Sequence, residues 1–452
     1  MTDTVIPTTL TPTTGTPSPT TAGGTPVIIP GRWRKLALVA APLWADNNES
    51  SVLSTLAPVI VQAVAAPAAA VGYLTSTGKF ISIVCGPLWA WVARRTNRKI
   101  AFAVASGLAG IATAATGLAQ SYTQLIVLYG LSAVFIAAAL PIASEITADL
   151  FDDAARGRAN GYTWGAISLL GSVLGPLIGQ LSRVPDGWRY GFFAWGAITV
   201  VTAVLLAVFF TDPAVGASET TVPQRAENDR ITWAKVRQML QIPTFVLMLI
   251  QRLISGHLLI ASFGIVFLVH TYGFTTAVAS IVTLPFGIGY LLGTFGGSLA
   301  TDFLQSRLPR IGRIIVLQFA QLGFGVVAVV GTQHNWGGIE VFAGFWAVLG
   351  FMQGLNPGVN RPIVAAVVPP EMRGAAFALL LSVFEALAYA LFNLAAGLLT
   401  DVIGLRGVML WIPGILMLVN AAFCTILYRT YPRDVERQRT LLAERTRTEA
   451  TG

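Results

Sequence analysis

Seven ionisable side chains lie well inside long apolar stretches of this 452-residue chain: Asp46, Glu49, Lys79, Glu145, Arg252, Arg361 and Glu385. An ionised side chain that faces lipid costs about 2.5–3.5 kcal/mol on insertion scales, so seven would cost roughly 20 kcal/mol. That exceeds the net stability of a typical fold. We therefore expect these side chains to face a bundle interior or a water-filled cavity. His257 is an eighth candidate, either as a packed histidine or as a proton relay.

Asp46 and Glu49 are three residues apart, so on a helix they share one face. Two carboxylates that close together in a poorly hydrated cavity do not both ionise readily. Such a pair can take up and release a proton, and proton coupling is the chemistry that this spacing predicts. Glu385, at mid-depth in a later apolar stretch, is the second candidate. For Asp46 and Glu49, the alternative is a permanent ion pair with Lys79 or Arg252. For Glu385, the alternative is a satisfied core carboxyl.

Lys79 and Arg252 place positive charge at similar depth. A phosphate or carboxylate group of a substrate would satisfy them as well as an internal acid would, and arginine offers a planar fork for such groups. Aromatic residues in the same stretches could line an amphipathic substrate cavity: Trp44, Trp164, Phe286, Tyr290 and Phe384. The alternative is that these rings are packing residues or interfacial anchors.

Only 11% of the residues are charged and 54% are hydrophobic, with a mean hydropathy of +0.68. A soluble protein is excluded, because a water-facing surface needs about a quarter of its residues charged. Residues 1–31, rich in Thr and Pro, are typical of a disordered tail rather than a signal peptide. Twelve later stretches are long enough to cross about 30 Å of hydrocarbon: 36–62, 72–93, 100–119, 123–149, 159–181, 190–211, 243–269, 276–300, 311–331, 339–366, 374–399 and 407–430.

The distribution of Lys and Arg predicts that both termini are cytoplasmic. Of the 29 basic residues, 23 fall on the side of the termini, three on the other side and three within spans. Basic loops stay on the cytoplasmic side of a membrane, so this distribution explains the net charge of +8 without a nucleic-acid partner. We expect a multi-pass protein of the cell membrane, in a bacterial inner membrane.

The polar segment 212–242 divides the chain into two sets of six spans, at 32–211 and 243–431, followed by a charged cytoplasmic tail at 432–452. The tetrapeptide Arg-Gly-x-Ala recurs after spans 4 and 10, starting at Arg156 and Arg373. The alternative to duplication is a chance match. Duplicated halves around a midplane site are a recurrent plan of transporters. The predicted fold is all-α and integral to the membrane, with twelve transmembrane helices in two pseudo-symmetric six-helix bundles.

The loop between spans 2 and 3 reads AWVARRTNRK from Ala90 to Lys99. It resembles the G-x-L-A-D-R-x-G/N-R-K loop of the major facilitator superfamily, and the chain is similar to that family over essentially its whole membrane-embedded length. Arg94 replaces the usual Asp, which typically forms a charge latch on the cytoplasmic side, whereas the equivalent loop of the second half keeps an acid. The resemblance implies gating or structural roles for Arg94, Arg95, Arg98, Lys99 and Asp302, and we expect the same of Glu145 and Arg361 at equivalent positions in spans 4 and 10. A simple positive-inside anchor is the alternative for the basic cluster.

Span 5 contains Gly171, Gly175, Pro176 and Gly179 in the pattern G-x-x-x-G-P-x-x-G, which is similar to a signature of antiporters in this superfamily. Glycines four apart allow close approach of a facing helix, and the proline lets the helix bend. The pattern favours export. In span 1, the run from Glu49 to Pro58 resembles the first helices of drug:proton antiporters and of Spinster-like lipid transporters, although the Asp-Arg pair of the latter is missing.

Together these features predict a proton-coupled secondary transporter that works by alternating access and exports a lysolipid, a sphingolipid-like lipid or lipophilic drugs. Uptake or exchange of a small organic anion or metabolite is one alternative, and a non-transporting membrane receptor or scaffold is another. The sequence has no phosphate-binding G-x-x-x-x-G-K-[ST] motif, no metal-ligand spacing and no enzyme signature, so we expect no cofactor. The expected partners are a small-molecule or lipid substrate, protons and membrane lipids, and the expected state is a monomer.

Overall fold

The computed structural model describes residues 29–151, 153–213, 233–369 and 372–451, and every regular element within them is a helix. The predicted tail at 1–31 lies almost entirely outside these residues. So does most of the predicted linker at 212–242, whose last part is a short helix, Trp233–Leu240.

The described residues of the first half form six long helices. They are α1 (Arg32–Ala63), α2 (Ala70–Arg95), α3 (Arg98–Thr116), α4 (Tyr122–Leu150), α5 (Asp153–Gln180) and α6 (Gly187–Phe209). Asn97 begins α3 by accepting a hydrogen bond from the backbone N–H of Ile100, as a helix N-cap does. Helix α4 loosens for one turn between Ile136 and Ala139, just before Pro141.

The second half repeats this arrangement. Its helices are α7 (Pro243–Tyr272), α8 (Thr276–Arg307), α9 (Gly312–Gln333), α10 (Ile339–Val367), α11 (373–403) and α12 (405–451). Helix α7 is interrupted after Leu253 and resumes through a short 3₁₀ segment at Gly256–Leu259. Residues 432–451 of the predicted cytoplasmic tail at 432–452 lie in the helical segment Leu427–Thr451, which is the last part of α12.

Eight stretches of the described residues are long and apolar enough to cross a membrane, and one of them, Arg373–Glu444, has 72 residues. At 1.5 Å per residue that stretch would be about three and a half times the hydrocarbon thickness of a bilayer. The chain reverses inside it at Gly404, whose φ of 68° and ψ of 166° are not helical. Helices α1, α2 and α5 are also long enough, with 32, 26 and 28 residues. The twelve long helices of the described residues are consistent with the twelve predicted spans.

One buried apolar cluster joins the two halves. It contains Ala57, Val61, Ala70 and Val71 of α1 and α2 together with residues of the second half such as Phe263, Phe267, Val282 and Ala396. We call the basic end of the bundle the one at which the helix ends carry Arg94, Arg98, Arg313 and Arg433. The residues of the joining cluster lie toward the opposite end of their helices. The other apolar clusters of the described residues each belong to one half. Among the described residues, the buried apolar contact between the halves thus lies at the end opposite the basic end, and from this we infer that the interior opens toward the basic end.

Close backbone contacts hold this closed end. Gly72 of α2 lies so near Asn393 and Gly397 of α11 that a Cβ at this position would overlap their backbone atoms. The Thr75 hydroxyl donates a hydrogen bond to Asn393 Oδ1 at 2.8 Å. A second seam joins α5 to α8, where a Cβ on Gly179 would overlap Ser280. The absence of side chains at these glycines is what permits the approach.

Candidate functional site

The paired acids of α1 lie on one buried face inside the first half. Asp46 and Glu49 are each 4% exposed. The Ser106 hydroxyl of α3 donates to Asp46 Oδ2 at 2.7 Å. Among the described residues, neither Asp46 Oδ1 nor Glu49 Oε1 has a hydrogen-bond partner. A buried carboxylate oxygen without a donor is costly for the ionised form, so this face can hold a proton in place of a charge.

Lys79 of α2 links these acids to the second half. It interacts electrostatically with Glu385 of α11 and with Glu49. Its Nζ lies 5.0 Å from the ring centroid of Tyr389, one helical turn beyond Glu385, which is a cation–π distance. The ring is fixed by the Ser262 hydroxyl of α7, 3.1 Å from the Tyr389 hydroxyl.

Glu385 is paired with Arg252 of α7. Arg252 Nη2 lies 2.6 Å from Glu385 Oε2, and the side chains are 8% and 31% exposed. Glu385 follows a π-helical segment, Ala378–Phe384, and such widened turns are frequent at functional sites. Glu49, Lys79, Glu385 and Arg252 thus form a row of alternating charge that runs from α1 through α2 and α11 to α7, across the interface of the halves.

The break in α7 sets the position of Arg252. The side-chain amide of Asn420 of α12 donates toward the carbonyl oxygens of Gln251 and Ile254, at 3.1 and 3.2 Å, and lies 3.2 Å from the Ser255 hydroxyl. These contacts satisfy backbone groups that the break leaves without helical partners. His257, just past the break, is 2% exposed and packs edge-on against Phe324 at 5.7 Å.

The structure brings together some of the predicted aromatic residues and separates others. Tyr290 of α8 interacts electrostatically with Glu385, Arg252 and Arg361, so it stands beside the charged row. Trp44 instead packs against Trp195 at 5.4 Å within the first half. Phe286 packs on the apolar cluster that joins the halves, Phe384 packs on a cluster of the second half, and Trp164 is 38% exposed.

At the basic end, the predicted gating residues form separate contacts. Arg94 donates to Glu145 Oε1 through Nε at 2.8 Å and Nη2 at 2.5 Å, so the position that departs from the family loop has an acidic partner on α4. Arg98 is buried and pairs with Asp149 of α4 and with Asp212, at 2.8 Å, beyond α6.

The remaining residues predicted for gating contact nearer neighbours. The Arg95 guanidinium lies 4.5 Å from the ring centroid of Trp91, Lys99 is half-buried, and Asp302 and Arg361 are exposed. On α5, Gly171 faces Asn48 and Gly175 faces Thr55, both on α1, while Gly179 faces Ser280 of α8. Pro176 lies between the two contact regions, inside a helix that stays continuous through it.

Several residues of the site carry no sequence signal of their own. Ser106, Asn393 and Asn420 are ordinary polar residues of membrane helices, and only the fold shows that they bind across helices. Tyr389 does carry a signal in the sequence, because it lies one helical turn after Glu385 and therefore shares its helix face.

Comparison with known proteins identifies the family. The profile of the Major Facilitator Superfamily matches residues 45–329 and 308–449. The chain therefore belongs to this superfamily of membrane transporters.

Among solved structures, the chain is similar to a bacterial homologue of the human lysosomal transporter Spinster in an inward-facing, unoccupied conformation. The TM-score is 0.77 at 18% identity, with 91% of this chain and 99% of that chain covered. Among curated relatives, multidrug resistance protein 3 of Bacillus subtilis is 39% identical over 83 residues, 18% of this chain and 16% of the relative. A probable sulfoacetate transporter of Cupriavidus necator is 27% identical over 175 residues, 39% of this chain and 40% of the relative. The aligned segments thus span less than half the length of these relatives.

Proposed function

We propose that this protein is a proton-coupled secondary transporter that exports an amphipathic molecule, such as a lysolipid, a sphingolipid-like lipid or a lipophilic drug, by alternating access. The observation that carries the proposal is the row of alternating charge between Glu49 and Arg252, which crosses the interface that must rearrange during transport. Ionisable side chains held at this depth in a membrane bundle are typical of proton relays and of ion or substrate pathways.

The proposed proton carriers are Asp46 and Glu49, with Glu385 as a third. When Glu49 binds a proton, Lys79 loses one of its two acidic partners and is held by Glu385 of the other half alone. Proton binding thus removes one attraction within the first half and leaves the attraction between Lys79 and Glu385 of the other half. Because a ligand shifts a two-state equilibrium only by binding the states unequally, this change links proton binding to the equilibrium between the open and closed arrangements.

The proposed orientation places the basic end and both termini in the cytoplasm, because basic loops stay on that side. The interior then opens toward the cytoplasm and can receive a substrate from there or from the inner leaflet. The Gly72 and Gly179 seams are the surfaces that separate when the transporter turns outward. The proposal includes a bacterial inner membrane and a monomeric carrier, since the site lies within one chain.

The amphipathic substrate is supported by the lining, which places Tyr290 and Tyr389 beside charged groups. The similarity to a protein named for multidrug resistance agrees with this class. A second candidate is transport of a small organic anion. It is favoured by Arg252, two of whose nitrogens lack partners among the described residues, and by the similarity to a probable sulfoacetate transporter.

The test is proton flux in proteoliposomes during addition of a lysolipid, a panel of cationic drugs or sulfoacetate. We expect one of these compounds to move protons with the wild type, and Asp46→Asn or Glu49→Gln to abolish the coupled flux. Glu340→Gln is the matched control, because it neutralises an exposed acid at the start of α10. Substrate movement that stays coupled in both variants would refute these proton sites. Specific binding without any flux would favour a receptor.

A further inference from the structure

The guanidinium of Arg252 is buried and incompletely satisfied. The residue is 7% exposed, and within the described part of the chain it forms an ion pair through the contact of Nη2 with Glu385. Nε and Nη1 have no hydrogen-bond partner within the described residues. A guanidinium carries five N–H donors, and buried donors without acceptors are costly. The site therefore lacks an acceptor.

The surroundings of this guanidinium favour an anion as the missing acceptor. Tyr290 interacts electrostatically with Arg252, with Arg361 and with Glu385. Lys79 approaches Glu385 from α2. His257, which interacts electrostatically with Arg252, has its Nδ1 unpartnered. Two cationic side chains, Arg252 and Lys79, are thus gathered around the carboxylate of Glu385.

The shape of the guanidinium decides how an anion can bind. Its two bidentate edges are the pair Nε and Nη2 and the pair Nη1 and Nη2, and each includes Nη2. Arg94 uses the first edge toward Glu145 in this chain. Glu385 contacts Nη2, so an oxyanion that makes the strong two-point contact with Arg252 shares this nitrogen with Glu385 and brings a second negative charge beside its carboxylate.

We propose that Arg252 binds the oxyanion group of the transported molecule, a phosphate, sulfonate or carboxylate, and that Glu385 occupies Arg252 when this group is absent. The inference rests on the proposed transport function and names the chemical class of the group that is recognised. The geometry makes the substrate and Glu385 competitors for one nitrogen.

The displaced carboxylate has a defined fate. Glu385 loses its main counter-ion and keeps Lys79 of α2 and Tyr290 of α8 as neighbours. No covalent bond changes. Asp46 and Glu49, in the other half, remain the carriers of the driving proton.

The test is calorimetric titration of the purified full-length protein with lysophosphatidate, near neutral pH. A monoacylglycerol with the same acyl chain and inorganic phosphate are titrated in parallel. We expect lysophosphatidate to bind, and Arg252→Gln to weaken binding by about tenfold or more. Glu385→Gln should tighten binding, because the competing carboxylate is gone. Arg307→Gln, an exposed arginine that lies over Phe303, is the matched control.

Unchanged binding in Arg252→Gln, or weaker binding in Glu385→Gln, would overturn the proposal, as would the absence of binding of both phosphate compounds. The double variant Arg252→Gln with Glu385→Gln leaves no buried charge unpaired, so its failure to bind cannot be ascribed to misfolding through that charge. Binding of phosphate with the same dependence on Arg252 identifies a small anion, and binding of lysophosphatidate alone identifies a lipid headgroup. If oxyanions bind but no proton flux occurs, the proposed transport function is refuted and this inference holds. If a cationic drug drives coupled proton flux but no oxyanion binds, this inference is refuted and the transport function holds.

Discussion

Replacing Gly72 by Ala should shift the protein away from the arrangement in which the interior opens toward the basic end. A Cβ at Gly72 would lie 2.7 Å from the backbone nitrogen and 2.8 Å from the Cα of Gly397, and still nearer the carbonyl oxygen of Asn393. All three are backbone atoms, which cannot rotate aside. Normal carbon contacts are about 3.5–4.0 Å, so α2 and α11 must separate by about 1 Å.

The expected magnitude follows from the cost of overpacking, about 1–3 kcal/mol for an added methyl or methylene in a tightly packed place. The cost is borne only by the state in which this seam is closed. The ratio of the two states should therefore change by roughly 5- to 150-fold in favour of the state with the seam open.

The measurement is the distance between spin labels at exposed Thr96 and Ser306, one in each half at the basic end, with Cys85 replaced by Ser. In Gly72→Ala this distance should shorten, because the basic end closes as the opposite end opens. Gly344→Ala is the control, since a Cβ there meets nothing within 4 Å. An unchanged distance distribution in a folded Gly72→Ala protein would refute the assignment of this seam as a moving surface.

Three further substitutions test the supports of the site. Asn420→Ala should destabilise the protein by about 0.5–1.5 kcal/mol for each hydrogen bond lost at the break in α7, seen as a lower thermal transition in detergent, because the Gln251 and Ile254 carbonyls each keep one other donor. Arg94→Ala should change the unfolding free energy by less than about 1 kcal/mol, because its pair with Glu145 is largely exposed, so any loss of transport would reflect the cycle and not folding. Asp434→Ala should cost about 0.5–2 kcal/mol, because its carboxylate accepts from the backbone N–H of Thr244 at the start of α7.

Each of these has an outcome that would contradict it. A thermal transition of Asn420→Ala equal to that of Gln120→Ala, an exposed amide at the other end of the bundle, would mean that the break in α7 needs no support. Failure of the charge-exchanged variant Arg94→Glu with Glu145→Arg to recover transport would separate the loss from this ion pair. For Asp434, Asp434→Asn should retain most of the stability, since an amide oxygen also accepts.

Much of the fold follows from the sequence because membrane helices have a strong signal. Apolar length and basic loops predict where the chain crosses and which ends lie together. The reversal at Gly404 falls between the last two predicted spans, where a glycine can adopt positive φ. The break in α7 was not predicted, because Ser255 and Gly256 lie in an apolar run whose composition still suits a continuous helix.

The candidate site could be predicted only in its components. Burial cost indicates that Glu49, Lys79, Arg252 and Glu385 avoid lipid, but helical periodicity says which face a residue occupies and not which helix it meets. The pairing of Arg252 with Glu385 joins residues more than a hundred positions apart. From the sequence alone Glu385 is an isolated acid. Its partner, Arg252, is determined by the packing of α7 against α11.

The most direct test of the central claim is transport of the responding substrate into proteoliposomes under an imposed pH difference, measured with both signs of the gradient. If the charged row couples protons to transport, reversing the gradient reverses net substrate movement in the wild type. The effect should be lost in Glu49→Gln and kept in Glu340→Gln. Substrate movement that is identical under both gradients would contradict proton coupling.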